Sequence, residues 1–385
     1  MSNYFFLQFF FLSSNISEKQ KQASDSKYGP FVVDMPLQEF AVRSLYRKLG
    51  ARVYFDKDQK VTAIFDYGHG KLYQPGQDGW ENAKFLAKVT CFTLTTAQEH
   101  LVWTHWLVSN NASREITMNL NPDHPIRRLL SVFTFRTNVV NSEAYDMLMP
   151  KFSMLHRACG FTIEALHSIF DSSFANCTIF KPFPEKQYNS ALQELIDDGK
   201  FPYATQYTSY YEIVRKFVRA WLEKAGDSSS DAEAKSFYNA MKVTTKGQSY
   251  ELPEFSGEAL VNLCSTIVFT VTGYHELIGH VVDYTNFPWK AGFRITKKDP
   301  SQADLQALLL TGVISASTSK RMPMLMSPFK NYFGAGGAPS WERDLWDNFI
   351  MELGQQSKKV QSEEATATFE WKYGDPARYE CSVSV

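Results

Sequence analysis

Four of the eight histidines stand in two closely spaced pairs, and they are the residues best suited to hold a metal. The first pair is His100 and His105, in EHLVWTH, and the second is His275 and His280, in HELIGH. Neutral imidazole is a common ligand of iron, zinc and copper. On a straight α-helix, however, residues five apart point about 140° away from each other. Each pair could therefore share one metal only if its helix contained a π-bulge, which is typical of functional sites.

The second pair can also be interpreted as part of a zinc peptidase. The usual pattern is HExxH, in which both imidazoles face one metal and the glutamate acts as general base. In HELIGH the second histidine comes one position later, so the string resembles only the HExxxH form of the dipeptidyl peptidase III family. That family needs a further acidic ligand, for which Glu363 and Glu364 in SEEATAT are the nearest candidates. A zinc metallopeptidase is the less favoured alternative.

Both pairs lie in apolar segments that are predicted to form buried helices. Residues 259–274 contain no charged residue, which could also indicate a membrane span, but one asparagine, one serine and three threonines interrupt the run. Polar residues between positions 275 and 283 follow it, so a buried central helix with a polar site fits better. For either pair alone, two unrelated histidines remain the alternative. The presence of two pairs favours a metal site.

The other elements are predicted to be mainly helical after a small part with strands. Strands are predicted at residues 52–55 and 61–65, followed by a turn-rich stretch at 67–78. Helices are predicted at about 95–110, 142–156, 210–223, 257–284, 302–309 and 341–357. Residues 227–231 and 333–338 are predicted to be loops, and residues 373–385 to be extended.

Composition excludes several classes of protein. The 385 residues are 44% hydrophobic and 21% charged, as in ordinary globular proteins, and could form several domains or one large helical domain. Lys and Arg number 40 against 41 Asp and Glu, so we expect no nucleic-acid partner and at most peripheral membrane contact. The five cysteines are an odd number without a CxxC motif. They predict reduced thiols and a cytoplasmic protein, with an organelle also possible.

Residues 1–28 are expected to form a lead-in to one folded domain over residues 29–385. Residues 4–12 are mostly Phe and Leu, but the run is too short to span a bilayer and no basic residue precedes it. An interfacial anchor, a poor signal peptide and a dispensable or non-native start remain open, and the last is favoured. Residues 13–28 are polar and are predicted to be flexible.

Several separated motifs resemble the lipoxygenase family and follow one another in the family order. The stretches EHLVWTHWLVSN, DHPIRRLL and FRTNVVNSEAYDML come after VTAIFDYGHGKLYQPGQDGWENAKFLAKVTCFT, which resembles the family's approach to its first metal helix. FTVTGYHELIGHVVDYTNFP resembles the second metal helix, and YGDPARYECSVSV the family's C-terminus. The resemblance covers roughly residues 50–385.

This resemblance implies a fold and an activity. The fold is a mainly α lipoxygenase-like catalytic domain with two central metal-bearing helices and a small strand-containing N-terminal part, lacking the family's N-terminal β-sandwich and early helices. The cofactor is one non-haem iron, or alternatively manganese. The family removes hydrogen from a bis-allylic carbon of a polyunsaturated fatty acid, and O2 then adds to give a hydroperoxide of the oxylipin pathway. We expect a monomer acting on these two substrates. A hydroperoxide-isomerising or inactive homologue is the alternative.

The resemblance also implies the metal ligands. His100 and His105 match the two ligands of the first helix, and His275 matches the first ligand of the second helix. Val385 matches the C-terminal carboxylate ligand. The family places Asn, His or Ser four residues after the third ligand, where this chain has Gly279.

Glycine offers no ligand atom, so the fourth side-chain ligand is expected from its neighbour. His280 could reach the metal if the second helix also contains a π-bulge. Otherwise water takes the position. No catalytic residue is expected beyond the metal site.

Two further pairs of residues are candidates for contact with substrate or oxygen. Ala158 and Gly160 lie near the region where the family uses a small residue to direct oxygen. Arg127 and Arg128 could pair with a substrate carboxylate, although a solvated basic surface is favoured for them.

The remaining histidines are expected to have no metal role. His124 belongs to the family's HP motif and is expected to pack or to support the site from outside the ligand set. His69, His156 and His167 have no partner motif and are expected at the surface.

Overall fold

The computed structural model describes residues 26–183, 190–199, 201–226, 230–279, 289, 292–316, 323–333, 339–366 and 373–383. Over these residues the chain forms one small antiparallel sheet and many helices, which confirms the mainly helical fold class. The predicted lead-in lies outside the described residues except for a 3₁₀ turn at Ser26–Tyr28.

The sheet comes first along the chain and packs one face against the helices. Its strands are β1 (Phe31–Met35), β2 (Ala51–Phe55), β3 (Val61–Asp66) and β4 (Lys71–Tyr73), paired antiparallel in that order. Because side chains alternate along a strand, Val33 and Val53 join the main core, while Val32 and Tyr54 form a small cluster on the other face. The predicted strands at 52–55 and 61–65 are confirmed. Strand β4 lies within the stretch predicted to be rich in turns, so that prediction is wrong for these three residues.

Helices make up most of the remaining described chain. They are α1 (Trp80–Leu94), the π-helix π1 (Thr95–Asn110), α2 (Asn111–Asn119), α3 (Pro125–Phe133), α4 (Thr137–Leu148), α5 (Met154–Ala158), α6 (Ile163–Ala175), α7 (Ser190–Asp197), α8 (Pro202–Ala225), α9 (Ala232–Thr244), α10 (Gly257–Phe269), the π-helix π2 (Thr270–Tyr274), α11 (His275–Gly279), α12 (Leu305–Ala316), α13 (Lys330–Phe333) and α14 (Ser340–Thr366). A 3₁₀ turn at Pro376–Arg378 follows. No helix among these described segments is long and apolar enough to cross a bilayer.

Most predicted helices are present, with two corrections. The single helix predicted at 142–156 is wrong, because Pro150 stands between α4 and α5 and proline cannot continue a helix. The extended prediction for 373–385 is wrong at Pro376–Arg378, where the side chain of Asp375 accepts from the Ala377 N–H and caps a 3₁₀ turn. The predicted helix at 257–284 is confirmed from 257 to 279, and its last five residues lie outside the described chain, as does most of the predicted loop at 333–338.

Two long helices carry the histidines and lie at the centre of the fold. The first histidine helix runs without a break through α1, π1 and α2, and the second runs through α10, π2 and α11. Helix α1 packs on the sheet, π1 packs on α6 and on the second histidine helix, and α10 packs on α8. Nearly every residue of π1 is buried, so this helix can hold polar ligands away from water.

Gly273, inside π2, permits close packing around the second histidine helix. A Cβ at this position would lie 2.8 Å from ring carbons of both Tyr210 and Tyr379, which is closer than atoms can approach without moving. Both rings are fully buried and pack against each other with their centroids 5.0 Å apart. The missing side chain therefore lets α8 and the C-terminal segment meet directly on π2.

We predict that Gly273→Ala lowers the free energy of unfolding by about 1–3 kcal/mol, the usual cost of overpacking a full core. Urea denaturation of the metal-free protein measures this change. Gly279→Ala is the matched control in the same helix, because its Cβ would meet neighbours only at ordinary contact distances of 3.5 Å or more. Equal stability of the two variants would contradict the packing argument.

Candidate metal centre

Three buried histidines bring their Nε2 atoms to one point between the two histidine helices. The Nε2 atom of His105 lies 3.0 Å from that of His100 and 3.2 Å from that of His275, and the last two are 3.1 Å apart. The exposed fractions are 7% for His100 and 2% for both His105 and His275. Among the described residues, these three form the one His/Cys/Asp/Glu group arranged to hold a metal ion. We call them the His triad.

The π-helix predicted from the histidine spacing is present in the first histidine helix. The whole of residues 95–110 is π-helical, and this wider turn brings His100 and His105 onto one face. The hydroxyl of Thr104 donates to the carbonyl oxygen of Glu99, five residues earlier, over 2.8 Å. In the second histidine helix the π-helical turn precedes His275, and residues 275–279 are α-helical.

The spacing of the His triad fits a six-coordinate metal. With a metal–nitrogen bond of about 2.1 Å, two nitrogens at right angles lie about 3.0 Å apart, and two at the tetrahedral angle about 3.4 Å apart. The observed separations of 3.0–3.2 Å are close to the right-angle value. Imidazole nitrogens are common ligands of first-row transition metals, so the chemistry of the three donors fits such an ion.

Asn141 of α4 orients His105 and was missed in the sequence. Its Oδ1 lies 2.6 Å from Nδ1 of His105, while its Nδ2 donates to the carbonyl oxygen of His105 and to Oδ1 of Asn110. The amide is therefore fixed with its oxygen towards the ring, so Nδ1 carries the proton and Nε2 presents its lone pair to the triad. The sequence gives no sign of this role, because the burial of one asparagine in a largely exposed helix is visible only in the folded structure.

Gly279 faces the His triad, as the resemblance implied for the fourth ligand position. A Cβ there would lie 3.5 Å from Nε2 of His100 and 3.6 Å from Nε2 of His275. Because residues four apart share one face of an α-helix, Gly279 stands beneath His275 with no side chain. Among the described neighbours there is therefore room for a Cβ at this position beside the triad.

Two of the predicted ligands, His280 and Val385, lie outside the described residues and stay predictions. The chain leading towards the C-terminus is held against the second histidine helix. The hydroxyl of Tyr207 donates over 2.7 Å to the carbonyl oxygen of Tyr373 and over 3.0 Å to that of Gly273. Val383, the last described residue, is fully buried.

The structure corrects the expectation for Arg128. Arg128 pairs with Glu342 of α14, whose side chain is fully buried, and its Nε lies 3.0 Å from Oε1 of that carboxylate. Arg127 donates to the carbonyl oxygens of Leu120 and Thr117. Arg128 is thus neither a solvated surface charge nor placed for a substrate, because a protein carboxylate already binds it.

The remaining histidines lie away from the triad. His124 caps α3, where its Nδ1 accepts from the Ile126 N–H, and its Nε2 lies 2.9 Å from Asp231. His69 and His167 are exposed, as expected. The surface prediction for His156 is wrong: this residue is 2% exposed, and burial followed by the charge of Arg43 lowers its pKa.

Ala158 and Gly160 lie at the end of α5. Ala158 is fully buried, and a Cβ on Gly160 would lie 3.1 Å from Cβ of Tyr46 and 3.4 Å from Cβ of Arg294. The carbonyl oxygen of Gly160 accepts from the N–H of Arg43. These contacts give the oxygen-directing role no support, and it stays a prediction.

The geometry does not favour the zinc-peptidase alternative. Glu363 accepts from Gln206, and Glu364 lies 3.5 Å from Arg378. Within the described chain, no carboxylate joins the His triad. The acidic ligand that such a peptidase requires is therefore not supplied by these glutamates.

The fold is lipoxygenase-like. Coral 8R-lipoxygenase matches with a TM-score of 0.82 at 15% sequence identity, over 97% of this chain and 62% of that one. A 9R-lipoxygenase from Cyanothece matches with a TM-score of 0.74 at 15% identity, over 100% of this chain and 63% of that one. For a lipoxygenase from Fusarium graminearum the values are 0.75, 15%, 97% and 76%. No protein-family model and no curated protein sequence matches the chain.

These comparisons confirm the fold expected from the sequence motifs. The chain spans only about three fifths of the length of the coral and Cyanothece proteins, as their covered shares of 62% and 63% show. At such low identity the likeness concerns the fold. The activity must be argued from the site.

We predict that Asn141→Leu weakens metal binding by about 10- to 100-fold, because the proton on Nδ1 of His105 loses its acceptor and the ring loses its orientation. Competition with a chelator for Fe²⁺ or Co²⁺ measures the affinity. Asn138→Leu, an exposed position one turn away on the same helix, is the matched control. Equal affinities of the two variants would show that Asn141 does not support His105.

Gly279→Asn distinguishes the two expectations for the fourth ligand. If water fills the position, we predict that this variant strengthens metal binding by about tenfold or more, because an amide oxygen would then reach the triad from the side of Gly279. If His280 is the ligand, the variant should change the affinity little. Gly279→Ala adds the Cβ without a ligand atom and should leave the affinity unchanged. His280→Ala completes the series. Strong weakening by His280→Ala with no effect of Gly279→Asn would identify His280 as the ligand, whereas a mild effect of His280→Ala with stronger binding by Gly279→Asn would exclude it.

Proposed function

We propose that this chain is a lipoxygenase-type non-haem iron dioxygenase that converts polyunsaturated fatty acids into hydroperoxides. The observation that carries the proposal is the His triad, buried at the junction of two π-containing helices in a lipoxygenase-like fold. His100, His105 and His275 would hold the metal through Nε2, with the carboxylate of Val385 and, next to Gly279, His280 or water as further ligands. Manganese is the alternative metal.

Bound iron would supply the one-electron chemistry that removes hydrogen from a bis-allylic carbon, after which O2 adds to the carbon radical. The protein positions the metal ligands and keeps them away from water. The triad is almost completely buried, and Asn141 keeps His105 in the tautomer that leaves Nε2 free for the metal. A buried, low-dielectric site strengthens these interactions and excludes competing water.

A groove beside the metal centre supports an amphipathic substrate. It has a volume of about 1070 Å³ and is lined by the aromatic side chains of Trp106, Phe170 and Phe174. Asn141 belongs both to this groove and to the hydrogen-bond network of His105, so the groove extends to a residue that contacts a member of the triad. The aromatic wall suits part of an acyl chain, and the polar residues that line the rest of the groove suit a polar head group.

Arg114 is the candidate anchor for the substrate carboxylate. It lines the same groove, and its side chain is 69% exposed. Its guanidinium pairs over 3.1 Å with the buried carboxylate of Glu115. That carboxylate also accepts from Nδ2 of Asn119, so Glu115 keeps a hydrogen-bond partner when Arg114 turns towards a substrate. Asp171 lines the groove as well. Its carboxylate would repel a ligand with several negative charges, so a ligand with one charged end fits better.

A hydroperoxide-converting enzyme is the second candidate. Gly279 favours it, because a missing side-chain donor beside the triad alters the electron donation that sets the redox behaviour of the metal. Such an enzyme would consume a fatty-acid hydroperoxide and would not make one.

The test uses purified protein loaded with Fe²⁺ and supplied with linoleic or arachidonic acid. We predict uptake of O2 together with the absorbance of a conjugated diene, and neither signal with oleic acid, which has no bis-allylic carbon. Arg114→Ala should raise KM about tenfold with little change in kcat, because it removes a charge contact to a part of the substrate that does not react.

His105→Ala is the control that removes the metal centre. Consumption of added hydroperoxide without O2 uptake would favour the second candidate. Stoichiometric zinc with hydrolysis of peptides would contradict both.

A further inference from the structure

A buried hydrogen bond joins the two histidine helices one residue before their ligands. The hydroxyl of Tyr274 donates to Oε2 of Glu99 over 2.7 Å, and each residue is only 1% exposed. Glu99 directly precedes His100, and Tyr274 directly precedes His275. The bond therefore links the same two helices at the residues next to the histidines whose Nε2 atoms are 3.1 Å apart.

The position of His275 is the variable part of the triad. His100 and His105 belong to one helix, so the backbone of π1 sets their separation. His275 comes from the other helix, and its distance from the first two depends on how the helices slide and rotate against each other. A hydrogen bond between the residues next to the ligands restrains the sliding and rotation of the two helices close to the triad.

The backbone around this bond is also restrained. Thr104 donates to the carbonyl oxygen of Glu99, and the ring of Tyr274 packs against Phe269 with centroids 6.4 Å apart. Both partners of the bond are therefore fixed within their own helices. Movement of one helix relative to the other must stretch the bond.

We propose that Glu99 and Tyr274 are positioning residues that hold the His triad at the spacing of a six-coordinate metal and so disfavour tetrahedral zinc. The inference rests on the proposed metal centre. Zinc binds nitrogen sites more tightly than Fe²⁺ or Mn²⁺ does, so a protein must select against it by geometry. An increase in the nitrogen separations from 3.0–3.2 Å to about 3.4 Å would suit a tetrahedral ion.

The experiment compares metal binding by the full chain and its Tyr274→Phe variant. Co²⁺ is the spectroscopic probe, because four-coordinate Co²⁺ absorbs visible light far more strongly than six-coordinate Co²⁺. Removing the hydroxyl should increase this absorbance and lower the ratio of Fe²⁺ to Zn²⁺ affinity by about tenfold, the upper range for one net hydrogen bond. Competition with a chelator gives the two affinities.

Tyr210→Phe is the matched control. This tyrosine is also fully buried, and its hydroxyl lies 2.6 Å from Oγ1 of Thr272 on the second histidine helix, but this bond does not reach the first. Its loss should leave the Co²⁺ spectrum and the affinity ratio as in the unmodified protein. An equal change in both variants would overturn the proposal, since any buried hydroxyl would then have the same effect.

Glu99→Gln separates the hydrogen bond from the charge, because the amide oxygen still accepts from Tyr274. It should keep the metal ratio and spectrum close to those of the unmodified protein. A loss as large as that of Tyr274→Phe would overturn the positioning role. Should Tyr274→Phe fold poorly with Glu99 left buried, the double variant Glu99→Gln/Tyr274→Phe lacks the charge and should give the same shift in ratio.

The proposed function and this inference fail in different ways. If the unmodified protein binds neither Co²⁺ nor Fe²⁺, the proposal of a metal centre is wrong, and the proposed function fails with it. If it binds six-coordinate Co²⁺ and Tyr274→Phe changes neither the spectrum nor the ratio, the metal centre stands and the positioning role is overturned.

Discussion

The close approach of three imidazole nitrogens in a dry interior is the constraint on which the rest of this structure depends. Nitrogen lone pairs 3.0–3.2 Å apart repel one another unless a cation or shared protons lie between them. Two of the rings come from one helix at a spacing that an α-helix cannot bring together. The π-helical turn at 95–110 is therefore a requirement of the site.

The surrounding contacts can be understood as supports for this arrangement. Asn141 fixes the proton of His105 on the side away from the triad. Gly273 lets Tyr210 and Tyr379 pack directly on the second histidine helix, and Tyr207 ties the carbonyl oxygens of Gly273 and Tyr373 together. Each contact joins elements far apart in the chain. The position of a ligand thus depends on the whole core.

Gly279 separates the question of fold from the question of activity. Its position faces the triad within a lipoxygenase-like fold, yet it offers no side-chain ligand atom. Redox chemistry depends on every donor, whereas the fold depends on the packing of the helices. The groove that contains Arg114 and shares Asn141 with the metal centre is compatible with an acyl substrate for either the dioxygenase or the hydroperoxide-converting enzyme.

Residue type and spacing by themselves pointed to two histidine pairs and to a π-bulge as the condition for each pair to share a metal, because both are local properties. The family resemblance then implied the ligands, with His280 and Val385 added to the three residues of the triad. The sequence also determined the strands near residues 52–55 and 61–65 and most of the long helices, through hydrophobic periodicity. The single helix across Pro150 and the surface position of His156 were wrong predictions, and the role of Asn141 was not predicted.

Only the tertiary structure decided that Arg128 pairs with Glu342, that Gly279 faces the triad and that Glu99 accepts a hydrogen bond from Tyr274. Burial and pairing between residues more than 100 positions apart arise when helices pack, and no local pattern in one chain records them.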